Sequence, residues 1–397
     1  MYRFWKKTAK YLTGILCAGL LAGMLPGCSV VKRVQYQWAD GGEEHWEEAA
    51  IDAGLQTQVE EYYYDHLPEE LHEAYREIYV HIMKNEDEGS FLSAIGVDDF
   101  WRAYYAVLSD HPEILWIGTS AQVEESGLSH SVVSYSLETT VASEDRDSMK
   151  AELEAAADAC ISQIWSEASD YEKIKYVYEY LINTVDYDAN GTDTQNIQSA
   201  LLYRKSVCAG YSKAFQYILH RLGLFCTYIT GTITDGGDHG WNMVRIGDDY
   251  YYVDVTWGDP VFVNKIDGEG TDTVINYNYL CCTQTELFRT HVPSDSVELP
   301  ECTADNYNYY KLNGFYYETF DYNTIYNALM NSVWNGEASI VMKFGSSEAY
   351  ESAKYELFEN GMLNDAGQYL MKMNGVTSWN YRYHTENEFY LITIYWK

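Results

Sequence analysis

The stretch from Asp238 to Trp257 places the strongest constraint on how this chain can fold. Asp238-His239-Gly240-Trp241-Asn242-Met243-Val244 is followed by Gly247-Asp248 and then by Tyr250-Tyr251-Tyr252-Val253-Asp254-Val255-Thr256-Trp257. Two runs rich in aromatic and β-branched residues on either side of a glycine-first pair predict a β-hairpin with a two-residue turn. In that register Ile246 pairs with Asp249, Trp241 lies opposite Asp254, and His239 lies opposite Thr256. His239 and Asp254 then share a face as diagonal neighbours about 7 Å apart at Cβ, close enough for a carboxylate to hold an imidazole. Val244, Ile246, Tyr251, Val253 and Val255 line the other face, as a core-packed sheet requires. A register one residue different separates the pair, so the expectation depends on the turn.

Upstream, Cys208-Ala209-Gly210-Tyr211-Ser212-Lys213-Ala214-Phe215 opens a helical pattern in which Tyr211, Phe215, Ile218, Leu219 and Leu222 share one face, and Gly223 supplies the stop. A thiol in the first turn of a helix meets unpaired N–H groups and the positive end of the dipole, both of which favour the thiolate. A cysteine taken alone is more often a small buried hydrophobe. His239 and Asp254 change that balance: the imidazole accepts the thiol proton, the carboxylate fixes the ring and stabilises the imidazolium, and the three together are acyl-transfer machinery.

The run from about Tyr171 to Pro260 resembles the transglutaminase core domain of many bacterial secreted proteins. The likeness rests on Val-Cys-Ala-Gly-Tyr at 207–211, His-Gly-Trp-Asn-Met-Val at 239–244 and Tyr-Tyr-Val-Asp-Val-Thr-Trp at 251–257. It implies an α+β, papain-like architecture, with a cysteine-bearing helix packed on an antiparallel sheet. It also implies a catalytic triad of Cys208, His239 and Asp254 that attacks amide bonds through a thioester. The family includes crosslinkers, peptidases and amide hydrolases, so the acceptor stays open between water and an amine. The oxyanion donors are expected to include the Cys208 backbone N–H, with a second donor unassigned. His220 and His291 read as structural or exposed, and Trp241 and Trp257 as either walls of the acyl site or core.

At the N-terminus, Arg3, Lys6, Lys7 and Lys10 precede an apolar run from Tyr11 to Leu25, the pattern of an export signal. Leu25-Pro26-Gly27-Cys28 resembles the lipobox of bacterial lipoproteins, although Pro26 stands where a small or β-branched residue is usual. The expectation is therefore a signal peptide at 1–27, lipid attachment at Cys28, a tether at 28–42, and a location on the outer face of the cytoplasmic membrane. A helix-rich N-terminal domain follows at 43–145. Within it Leu71, Tyr75, Ile78, Tyr79 and Ile82 repeat at helical spacing, Asp98 to Leu108 forms a second helix, and Val133, Tyr135 and Leu137 alternate as a half-buried strand. The catalytic domain spans 146–291 and a small α+β domain 292–397, with Tyr-rich extended pieces at 307–317 and a helix over 349–360. Asp110-His111-Pro112-Glu113 and Arg289-Thr290-His291 also resemble companion regions of such lipoproteins.

Composition matters chiefly for partners. The balance of 26 Lys+Arg against 60 Asp+Glu gives a formal charge of −34, which repels nucleic acid. Expected partners are a peptide or protein substrate at the cell surface and the membrane through the lipid. Asp235, Asp238, Asp267, Glu269 and Asp272 lack the spacing of a calcium-binding EF loop, and no CxxC pair offers a zinc site, so neither metal nor cofactor is expected. The alternative to an enzyme is a surface binding or cell-wall scaffold protein that keeps the fold without its chemistry.

Overall fold

The computed structural model describes residues 59–91, 95–191, 195–234, 236–259, 275–374 and 377–396. The expected signal, Cys28, the tether, and Asp235, Asp267, Glu269 and Asp272 lie outside the described residues. The fold is α+β, and its sheets are mainly antiparallel. It divides into two compact units. One draws on the chain up to Asp248 together with Asp254–Ile275 and Val292–Pro300. The other draws on Asp249–Val253, Asn276–His291 and Glu301–Lys397.

In the first unit, α1 (Tyr62–Asp65), α2 (His72–Met83) and α3 (Val97–Asp110) precede a hairpin of β1 (Ile117–Glu125) and β2 (Val132–Thr139). Helix α2 buries Tyr75, Ile78, Tyr79 and Ile82, the stripe its spacing predicts. In β2, Tyr135 and Leu137 are buried but Val133 is not. Pairing jumps from Glu124–Ser134 to Glu125–Val132, so Val133 occupies an irregularity and strict alternation fails there.

The catalytic-domain candidates follow on α4 (Arg146–Ile161), α5 (Asp170–Thr184), α6 (Ile197–Leu201), α7 (Cys208–Arg221), β3 (Cys226–Ile233), β4 (Asp238–Ile246) and α8 (Val255–Gly258). A capping box between Ser169 and Glu172 starts α5, whose Ile174, Val177, Tyr178 and Leu181 are buried. Helix α7 packs against β3, β4, α5 and α6. Its Tyr211, Phe215, Ile218 and Leu219 are fully enclosed, each contributing roughly 1.5–3 kcal/mol by burial. The helix stops in a Schellman arrangement: Gly223 has φ +73°, its N–H reaches the His220 carbonyl at 2.9 Å, and the Leu224 N–H reaches that of Leu219 at 2.9 Å. Strands β3 and β4 pair antiparallel from Cys226–Val244 to Thr232–Asp238.

The strand expected to run through Trp257 is shorter than predicted. The second unit contains its ladder portion, β5 (Asp249–Val253), and from Asp254 the chain turns helical. Thr256 is therefore part of α8 rather than a strand partner of His239. Also in the second unit, β6 (Tyr316–Tyr317), β7 (Ser339–Phe344), β8 (Tyr381–Glu386) and β9 (Leu391–Trp396) form a sheet in the order β6-β7-β9-β8. Its core includes Met342, Phe344, Ile392 and Ile394, joined by Ile325 and Leu329 of α9 (Tyr322–Trp334). The Tyr-rich piece is partly helical, since Asn308 caps a turn at Tyr309–Leu312. The predicted helix at 349–360 is an α-helix only over Ser347–Lys354 and continues as a π turn through Glu359.

Candidate active site

Cys208 is the first residue of α7. Val207 before it is extended (φ −109°, ψ 179°) and brings no side-chain cap. The first-turn N–H groups of Cys208 and Ala209 have no carbonyl within the helix to bond and are available to a ligand at the half-buried thiol. Across from it, His239 enters from the start of β4 with only 8% of its surface exposed. On one side the ring is close enough to Cys208 for the thiol to contribute to its raised pKa. On the other, Nε2 lies 2.7 Å from Asp254 Oδ2.

Asp254 is completely buried and divides its two oxygens. Oδ1 accepts from the Thr256 N–H at 2.9 Å and the Trp257 N–H at 3.1 Å, capping α8, while Oδ2 serves His239. The carboxylate is thus held by the helix it starts rather than by cross-strand register. Burial by itself lowers the His239 pKa, but the Asp254 charge and hydrogen bond, aided by Cys208, overcome it and push the ring up to about 10. The resting arrangement this favours is an imidazolium between a carboxylate and a sulfur. Trp241 stacks near the ring at 6.0 Å and Trp257 meets it edge-on at 6.2 Å. Trp241 is wholly enclosed, so it serves the core and the histidine at once.

Other side chains also fix this geometry; the sequence pattern marked Tyr211 only as part of the apolar stripe and gave Ser212 and Asn242 no role. Ser212, one turn beyond Cys208, donates its hydroxyl to the Gly240 carbonyl at 2.9 Å, and Asn242 Nδ2 donates to the Ser212 carbonyl at 3.0 Å. These bonds clamp the first turns of α7 to the strand that carries His239. The Tyr211 hydroxyl lies 2.5 Å from the Val185 carbonyl and 2.9 Å from Asp259 Oδ2, tying α7 to the segment beyond α8. Asn242 is a fully buried amide. His220 meets the Cys226 carbonyl at 2.7 Å, and His291 is buried with Nδ1 2.8 Å from Thr290 Oγ1. Both have local structural bonds.

Cys208 at a helix start and the carboxylate-held His239 both lie in the α+β unit that also holds most of the stretch matched by a known family. The model for the transglutaminase-like superfamily matches residues 159–255, and this stretch is a transglutaminase-like domain. The kyphoscoliosis peptidase of Mus musculus is 24% identical over 131 residues, covering 29% of this chain and 20% of that protein. The Homo sapiens kyphoscoliosis peptidase is 26% identical over 118 residues, covering 25% and 18%. The chain thus spans about a fifth of the length of these relatives. Among solved structures, a TGase aligns at 14% identity and TM-score 0.26 over 43% of this chain and 50% of that one. A Cytophaga hutchinsonii chain described as a candidate cysteine protease aligns at 14% and 0.25 over 33% and 53%.

Proposed function

We propose that the protein is a cysteine acyl-transfer enzyme acting on peptide or glutamine amide bonds, with Cys208 as nucleophile, His239 as general acid and base, and Asp254 as the group that orients the histidine. The observation that carries this reading is the 2.7 Å bond from His239 to the buried Asp254, with Cys208 at the start of α7 near enough to influence the same ring. The sulfur, its proton held by His239, attacks the amide carbon and the carbonyl electrons move to oxygen. When the tetrahedral adduct collapses, the C–N bond breaks, His239 protonates the departing amine, and a thioester to Cys208 remains. Water or a second amine then attacks the thioester while His239 accepts its proton; the C–S bond breaks, the carboxylic acid or new amide departs, and His239 returns the proton to the Cys208 sulfur. The similarity to kyphoscoliosis peptidases supports a peptide substrate and, with it, hydrolysis over crosslinking.

With the export signal and Cys28 read from the sequence, the reaction is assigned to the outer surface of the cytoplasmic membrane. The test is to screen peptide and glutamine amides for turnover and then to compare Cys208→Ala. A productive substrate with a trappable thioester on Cys208 supports the reading. Turnover unchanged in Cys208→Ala rejects it.

A further inference from the structure

We propose that the Tyr228 side chain supplies the second oxyanion donor: its hydroxyl, laid across Gly240 beside His239, hydrogen-bonds the substrate oxygen as Cys208 attacks. This rests on the acyl-transfer reading of the site and adds a residue to it. Tyr228 sits on β3 and pairs with Asn242 of β4, two residues from the Thr230–Gly240 pair. Its ring runs along the strands until it covers Gly240, where a Cβ would come within 2.4 Å of the Tyr228 hydroxyl oxygen and 2.6 Å of Cε2. Gly240 directly follows His239, and its carbonyl is bound by Ser212 of the first turns of α7. The phenol is thereby brought to the junction of the two elements that bear the thiol and the imidazole.

Three further observations give this placement chemical meaning. The hydroxyl makes no hydrogen bond among the described residues; besides its strand pairing, Tyr228 is bonded at its backbone carbonyl, which accepts from the Tyr63 hydroxyl at 2.8 Å. That bond anchors the strand and leaves the phenol uncommitted. Burial, then the charges of Cys208 and Tyr63, raises the Tyr228 ionisation well above the usual phenol range, so it stays a donor throughout the working pH range. Lys213 Nζ lies 5.6 Å from the ring centroid, on the face of the aromatic system. In the reaction no proton leaves Tyr228. The C–S bond forms, the carbonyl π electrons become an alkoxide, and the phenol O–H and the Cys208 backbone N–H share that charge until the C–N bond breaks.

The experiment compares wild type, Tyr228→Phe and Tyr187→Phe for two reactions of Cys208, Tyr187 being the other phenol whose ionisation feels the thiol. Alkylation by iodoacetamide passes through no oxyanion, whereas acylation by 4-nitrophenyl acetate does. Tyr228→Phe is expected to retain the wild-type pH profile of alkylation, which also reports an intact site, and to acylate about 10²-fold more slowly. Equal acylation in wild type and Tyr228→Phe overturns the assignment, as does a loss confined to Tyr187→Phe. A fall in both reactions overturns it too, because the tyrosine would then be acting through the thiol. A wild-type Cys208 that alkylates like free cysteine and is not acylated rejects the parent reading itself, a result distinct from failure of the donor alone.

Discussion

Asp254 holds His239 at 2.7 Å with one carboxylate oxygen and caps α8 with the other. An asparagine has a single carbonyl oxygen and cannot serve both. In Asp254→Asn, either the cap survives and an NH₂ group confronts His239, or the histidine bond survives and the Thr256 and Trp257 N–H groups face a donor. The expected outcome is a folded protein in which acylation of Cys208 falls by about 10²–10⁴-fold. In the same variant the His239 pKa, read by NMR titration, drops well below 10, because burial is then opposed only by the smaller Cys208 contribution.

The same pair sets a pH dependence of stability. The folded pKa of His239 is about 10, above the unfolded value of about 6.5. Its contribution is therefore fully present below about pH 6.5 and is lost as pH rises through 10. Urea unfolding of wild type and His239→Gln should show the largest gap in favour of wild type at about pH 6, narrowing toward pH 10. A gap that widens with pH would contradict the ion pair.

The residues around Cys208 were readable because the thiol, apolar stripe and glycine stop occupy one continuous helical run. Asp254 was readable as a residue but not as a geometry. The Tyr and Val residues before it continue in type through Val255 and Thr256, so strand propensity extends the strand past Val253, whereas the buried carboxylate ends it by capping α8. Tyr228 left no local signal, since tyrosine is an ordinary strand residue and its placement depends on Gly240, a strand away. Val133 shows the complementary failure, because a bulge is set by pairing across the hairpin and not by the strand's own alternation.

Lys213 offers a test with the opposite sign to His239. Burial depresses its pKa to about 8, and no ion pair to it forms among the described residues. Charging it in the folded state is unfavourable; the penalty is complete below pH 8 and relieved as pH climbs toward the unfolded value of about 10.4. Lys213→Met should raise unfolding free energy by about 2 kcal/mol at pH 6–7, after allowance for partial solvent access, with the gain fading above pH 10. A stability loss at neutral pH would show that the ammonium has a partner worth more than its desolvation.

Asp110 tests how far the N-terminal helices rely on a cap supplied from outside their own sequence. Glu61, at the N-cap of α1, makes no side-chain cap bond. Instead Asp110, at the end of α3, accepts from the Tyr63 N–H at 2.9 Å and the Tyr64 N–H at 3.0 Å, and from the Tyr75 hydroxyl at 2.9 Å. Burial raises the Asp110 pKa to about 7 despite these donors and the neighbouring His111. His111, between Glu61 at 3.1 Å and Glu113 at 3.1 Å, is held up at about 10 by those carboxylates against its own burial. Removing the carboxylate strands two backbone donors and a hydroxyl in a dry interior, at about 1–3 kcal/mol for each group left unsatisfied. Asp110→Ala should therefore lower unfolding free energy by roughly 3 kcal/mol or more. Asp110→Asn keeps one acceptor oxygen and should lose less. Equal stability of both variants and wild type in urea titrations at pH 8 would mean that water replaces the carboxylate at no loss, and that α1 does not depend on α3 for its start.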